Sequence, residues 1–162
     1  MMNFQTGDKV MHSTYGMGHV QAIEEHTVDN TTTLYYMVRT ADLTIWVPAD
    51  EKMKNRLRFP TSAARFRKVL DILSSPADPL PDDRRSRNTK LLEMLNDGGI
   101  EPLCKAIRDL TAFRHSRFWN DYDGALMKRA NKTLIGEWSV SLSVSLRDAE
   151  LGLHQLLDHK EN

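Results

Sequence analysis

Apolar positions along this chain follow two different rhythms, and the change falls near residue 60. Up to that point they come in short bursts: Val10 and Met11, Val20 and Ile23, then residues 32–39, 43–47 and 57–59, the last two running into Pro48 and Pro60. Short β-branched and aromatic runs separated by turn-forming residues predict strands. Between the first two lie Gly16 and Gly18, which relieve the backbone at a bend or close approach and predict a hairpin turn over 15–18. Closely spaced short strands predict a meander that curls into a small barrel or strongly bent sheet.

Beyond Pro60 the spacing becomes helical. Ala63, Ala64, Phe66, Val69, Leu70, Ile72 and Leu73 form one stripe, with Thr61 or Ser62 placed to cap it, and this helix is expected to pack beside the sheet or to bridge it to the second half of the chain. Pro76, Pro79 and Pro81 then interrupt any helix and mark an expected domain boundary nearby. From residue 82 the pattern is helical to the end. Asp82 or Asp83 caps a helix carrying Leu91, Leu92, Met94 and Leu95, which stops at Gly98 and Gly99. A second helix spans about 101–115 with Pro102 in its first turn. A third holds Ala125, Leu126, Ala130, Leu134, Ile135 and Trp138. A last one opens at Ser145, with Asp148 placed as in a capping box, and buries Leu151, Leu153 or His154, Leu156 and Leu157. Residues 139–146 (SVSLSVSL) alternate with period two, but a lone strand among helices has nothing to pair with, so a helix end and connection are expected there.

Composition narrows the function classes. With 162 residues, 40% hydrophobic and 27% charged, the chain suits one or two small globular domains. No apolar run approaches the ~20 residues of a membrane span and no signal pattern opens the chain, which predicts a cytoplasmic address and no membrane partner. Cys104 is the only cysteine, so an internal disulfide and a cysteine-based zinc site are excluded, and its apolar helical setting reads as a small buried hydrophobe. Lys plus Arg and Asp plus Glu both total 22. A domain holding DNA by its own charge is normally basic, so any DNA contact here needs a partner to place it.

Phe4, Gly7-Asp8-Lys9-Val10, Tyr15-Gly16, Gly18, Val20, Ile23-Glu24, Tyr35-Tyr36, Leu43-Thr44-Ile45, Val47-Pro48 and Leu57-Arg58 together resemble the amino-terminal RNA-polymerase-interacting domain of the CarD/CdnL transcription-factor family, which is similar to the polymerase-binding module of the transcription-repair coupling factor. Lys105-Ala106-Ile107-Arg108-Asp109-Leu110 and Leu134-Ile135-Gly136-Glu137 resemble the family's carboxy-terminal domain. The resemblance implies an α+β protein: a small Tudor-like bent β-sheet or barrel over 1–60, a bridging helix and Pro-rich linker over 61–81, and an all-α domain of four to five helices over 82–162. It implies a monomeric, non-enzymatic regulator without cofactor, whose β-domain binds the RNA polymerase β subunit and whose helical domain contacts promoter DNA and modulates open-complex stability. The alternative is a protein-interaction adaptor whose β-domain binds a partner other than polymerase and whose helical domain never touches nucleic acid.

For polymerase, the resemblance points to strand addition through Thr44, Ile45, Trp46 and Val47. Trp46 and His26 stand where relatives resemble one another in having arginine, so two charge-assisted contacts are replaced. Alternation puts Trp46 on the face opposite Ile45 and Val47, which leaves it as interface or core. For DNA, the candidates are Arg84, Arg85, Arg87 and Lys90 after the linker, against the plainer reading of a solvated helix face. The family pattern has a minor-groove tryptophan just before this cluster, where this chain has Asp82, which cannot wedge and repels phosphate. Trp119, among Arg114, Arg117 and His115, is a substitute wedge candidate, and Lys128, Arg129 and Lys132 form a further basic patch for DNA; burial of the first and solvation of the others are the competing readings. Gly16-Met17-Gly18 lacks the third glycine and helix of a phosphate loop. His12 with His19, and His154 with His159, lack the spacing or partners of a metal site.

Overall fold

The computed structural model of the chain describes residues 3–50, 53 and 56–161, with side chains up to residue 158. It divides into two compact units, Met1–Pro60 and Thr61–Asn162.

The first unit is a five-stranded antiparallel sheet, the β half of an α+β fold. Its strands are β1 (Lys9–His12), β2 (Gly16–Val28), β3 (Thr31–Thr40), β4 (Thr44–Pro48) and β5 (Leu57–Arg58), in the order β4-β3-β2-β1-β5. One face is buried. Val10, Val20, Tyr36, Val38, Val47 and Leu57 meet Phe4 and Met53 there, and the two rim strands supply Val47 and Leu57 to the same cluster, so the sheet must bend to bring its rims over one core. A register shift between Val20 and Ala22 marks a bulge on the long strand β2, a feature that sharpens such bends.

The β1–β2 turn occupies residues 13–15, earlier than the glycine pair predicts. His12 pulls it forward, its Nδ1 accepting the Thr14 and Tyr15 amides at 3.0 and 3.2 Å, and Gly16 closes the turn in the left-handed region at φ 76. Gly18 has a different duty. A Cβ there would stand 2.7 Å from the Arg39 carbonyl oxygen, so the residue allows β3 to approach β2. The β2–β3 turn places Asp29 and Asn30 at φ 50 and 64, the left-handed pair that matches the twist of a two-residue hairpin.

The second unit is helical: α1 (Ala63–Val69), α2 (Asp71–Ser74), α3 (Arg84–Asn96), α4 (Ile100–Phe113), α5 (Asp121–Leu142) and α6 (Leu146–Glu161). The apolar stripe over 63–73 is split at Leu70 into α1 and the single turn α2, and Phe66, Val69 and Leu73 from the two enter the core of this unit. Helix α4 runs through the middle, burying Leu103, Cys104, Ala106, Ile107 and Leu110. The Pro-rich segment is strapped to it: Arg108 donates to Asp109, Ser75 Oγ and Asp78 at 2.9, 2.9 and 3.1 Å, the Asp78 amide donates to Asp109, and Leu80 is buried in the same core.

The alternating 139–146 segment contains no strand. Helix α5 continues to Leu142, Ser143 turns left-handed at φ 55, Val144 N bonds Ser139 O, and Ser145 Oγ then accepts the Asp148 amide at the start of α6. Along α6 the core-facing positions are Ala149, Leu153 and Leu157, four apart, whereas Leu151 is exposed. Gly152 is needed on that helix because the Trp138 ring lies where its Cβ would be, at 2.7 Å.

Candidate functional site

Strand β4 is a rim of the sheet, paired on one side with β3. Thr40 N donates to Leu43 O and Ala49 N donates to Leu34 O, and the register between them pairs Ile45 with Val38 and Val47 with Tyr36. Odd-numbered residues therefore turn their amides and carbonyls toward β3, and Thr44 and Trp46 turn theirs away, where the sheet supplies no further strand. Pro48 has the same outward parity, so its missing amide leaves the β3 ladder intact.

Side chains on β4 alternate as the sequence predicts. Val47 is buried and Ile45 packs on the core, whereas Trp46 is 44% exposed on the outer face. That answers the choice between core and interface in favour of a surface position. His26 reaches the same place from β2: its ring lies 5.3 Å from Trp46 and 4.8 Å from Tyr35, and its Nε2 donates to Glu24 at 3.3 Å. The two positions that depart from the arginine-bearing pattern thus lie together, brought across β3 by the strand register.

In the helical unit the basic cluster divides. Arg84 and Arg85 are exposed in the first turn of α3, which Asp83 caps by accepting the Ser86 amide and hydroxyl at 2.9 and 2.8 Å. Those two bonds hold the Asp83 carboxyl below the usual carboxylate range, with Arg85 and Arg87 adding to the effect. Lys90 is half-buried.

Arg87 is not a surface cation, which corrects its place among the DNA candidates. It is 1% exposed. Its Nε and Nη2 donate to Asp123 at 2.9 and 3.0 Å, Nη1 donates to the Pro81 and Asp82 carbonyls, and Nη2 also donates to the Phe118 carbonyl, with the Phe113 ring 4.6 Å from the guanidinium carbon. All of its fork is used within the fold, so nothing remains for phosphate.

Arg87 instead joins two surface segments. The Asp82 and Phe118 carbonyls sit on one guanidinium at 2.9 and 3.2 Å, so the turn bearing Arg84 and Arg85 adjoins the loop before α5. Trp119 in that loop is half-buried, packs on the helical core and has its ring 6.5 Å from Phe113, so the exposed aromatic is its neighbour Phe118, with the Arg117 guanidinium 4.7 Å from the ring. Sequence reasoning named Arg117 only as a neighbour of Trp119 and did not put Phe118 forward. The signal available was only their adjacency, and which of two consecutive aromatics faces water depends on the loop's path. Lys128 and Lys132 are exposed on α5, and Arg129 is half-buried.

Burial pushes the Cys104 thiol up to about 12, with Glu137 and Glu101 adding to it, so it has no thiolate chemistry near neutral pH. Among the described residues no group of three His, Cys, Asp or Glu side chains is placed to hold a metal ion, and no helix is long and apolar enough to cross a membrane.

Residues 4–58 match the model of the CarD-like/TRCF RID domain. The β unit is similar to that domain over nearly its whole length. The match spans β1 to β5, including the β4 rim and the surface that carries Trp46 and His26. A longer likeness runs into the helices: the chain is 24% identical over 142 residues to the Bacillus subtilis (strain 168) protein named "Putative transcription factor YdeB", covering 85% of this chain and 91% of that one.

Proposed function

We propose that this chain is a transcription regulator whose RID domain binds the RNA polymerase β subunit by adding β4 to an exposed sheet of the polymerase, and whose helical unit contacts promoter DNA and modulates open-complex stability. The observation that carries the first half is the pairing of a RID-family match over 4–58 with a rim strand whose Thr44 and Trp46 backbone groups face outward. Thr44, Ile45, Trp46, Val47 and His26 form or support this contact.

The second half rests on Arg84 and Arg85, with Phe118 and Arg117 beside them. Cations neutralise phosphates and an exposed ring stacks on or wedges between bases. A chain with equal numbers of basic and acidic residues binds DNA weakly alone, and docking on polymerase supplies the local concentration, on the order of millimolar for a linked second contact. Lys128, Arg129 and Lys132 extend the cationic surface, the protein acts as a monomer in the cytoplasm, and no catalytic step is involved.

The test is the lifetime of the open complex formed by purified RNA polymerase on a linear promoter, with and without the protein. A changed lifetime that requires β4 supports the proposal; an unchanged lifetime with no retention of polymerase rejects it. The burial of Arg87 and the exposed carboxylate of Asp82 favour a second reading, an adaptor whose helical unit does not meet DNA. Capture of another stable partner in place of the polymerase β subunit, with no promoter footprint from the helical unit, would select that reading.

A further inference from the structure

The outer face of the RID domain holds aromatic rings and a carboxylate side by side. Tyr36 and Val38 of β3 are buried, so Tyr35 and Met37 point outward. The register sets Trp46 opposite Met37 and Glu24 opposite Tyr35, and His26 leans over this row with its ring 4.8 Å from Tyr35 and 5.3 Å from Trp46. Glu24 is bonded to His26 at 3.3 Å, with the Glu24 and His26 side chains 44% and 42% exposed.

We propose that this surface is a receptor for an arginine or lysine side chain carried by the protein strand that pairs with β4. The proposal rests on the strand-addition reading above and names the chemistry of the partner residue. A strand added beside β4 places its residue opposite Trp46 about 5 Å away on the same face, within reach of the indole. A cation there meets the negative face of the Trp46 indole, and the Glu24 carboxylate, two strands further in on the same face, attracts it at longer range. A carboxylate in the same position meets the ring face and the field of Glu24 with the wrong sign.

The other end of the face fixes which way the charge lies. Arg39 projects outward beside Thr44 and donates to its Oγ1 at 3.0 Å, so the Thr44 end of β4 is cationic and the Pro48 end, next to Tyr35 and Glu24, is anionic and aromatic. The partner's cation belongs at the Pro48 end. A partner strand that placed its charge at the Arg39 end would need an acidic residue, and that is the competing occupant.

Two peptides distinguish these occupants on the intact protein. The 15N-labelled chain is titrated with N-acetyl-Thr-Val-Arg-Val-Thr-amide and with the same peptide bearing glutamate in place of arginine, following the indole of Trp46, assigned through Trp46→Phe, and the amide of Glu24. The arginine peptide is expected to shift both signals, and Glu24→Gln to weaken it by less than about twofold, as a screened longer-range attraction predicts. Equal or larger shifts with the glutamate peptide, or none with either, overturn the receptor. A parallel capture on immobilised RNA polymerase separates this result from the reading it rests on. Failure of the wild type to bind polymerase while the arginine preference persists rejects polymerase as partner and keeps the receptor. Capture by wild type with equal or tighter capture of Trp46→Lys rejects the receptor and keeps strand addition.

Discussion

Arg87 of α3 and Asp123 of α5 form a bidentate pair, Nε to Oδ1 at 2.9 Å and Nη2 to Oδ2 at 3.0 Å, with the side chains 1% and 0% exposed. Asp123 also accepts the Asn120 amide at 3.0 Å while Asn120 Oδ1 accepts the Asp123 amide, so one carboxylate closes the capping box of α5 and neutralises a buried guanidinium. Removing either partner leaves a buried charge alone. Arg87→Ala is therefore expected to destabilise the helical unit by about 3–5 kcal/mol. Arg87→Met with Asp123→Leu recovers part of that loss, because the charge is gone but the Asn120 amide still lacks its acceptor. Denaturant melts of the single and double variants measure both effects; a cost for Arg87→Ala below about 1 kcal/mol would mean that the pair does not pin the two helices.

Arg84 and Arg85 are the counterpart, exposed and outside the core. Replacing both by Gln should change stability by no more than about 0.5 kcal/mol. If each neutralises one phosphate, the slope of log affinity for polymerase-bound promoter against log salt should fall by about 1.8. Filter binding across a salt series checks this, and an unchanged slope places the DNA contact elsewhere.

Thr44 has its amide on the open edge of β4, so Thr44→Pro removes a donor for an incoming strand and none from the β3 ladder. The expected result is loss of polymerase capture by at least about tenfold with a melting temperature shifted by only a few degrees. The Arg39 bond lost from Thr44 is exposed and contributes little. Undiminished capture would show that the partner does not pair with this strand.

His12 makes the β unit acid-sensitive. Burial holds its imidazole below the ordinary value, with nearby Arg56 adding to the effect, and its Nδ1 is committed as an acceptor to two turn amides. The unfolded chain takes up the proton near pH 6.5 and the folded chain only lower. Stability is therefore complete above about pH 6.5 and declines as the pH falls from there toward the folded value. His12→Asn retains an oxygen acceptor for the turn and removes the titration, so its melting temperature should stay flat from about pH 7 to about 5 where wild type declines. A parallel decline in both proteins would assign the acid sensitivity to another group.

Local rules read much of this molecule from its residues in order. Period-two and helical spacing located the strands and the long helices, the caps were nameable to within a residue (Thr61 or Ser62, Asp82 or Asp83, and Ser145), and the alternation Ile45, Trp46, Val47 put the indole on the face opposite its two neighbours, leaving the core face to be decided. Each of those features depends on neighbours within about four positions, and such short-range geometry is written directly in the order of residues. The fate of a charge is not. Arg84, Arg85 and Arg87 look alike in the sequence, and only the docking of α5, which brings Asp123 from 36 residues away, decides that the third is a buried pin and the others face water. The meeting of His26 with Trp46 likewise depends on the register of β2 with β3 and of β3 with β4. Burial and cross-strand contact are properties of the packed chain, because desolvation and pairing are decided by groups that adjoin only after folding.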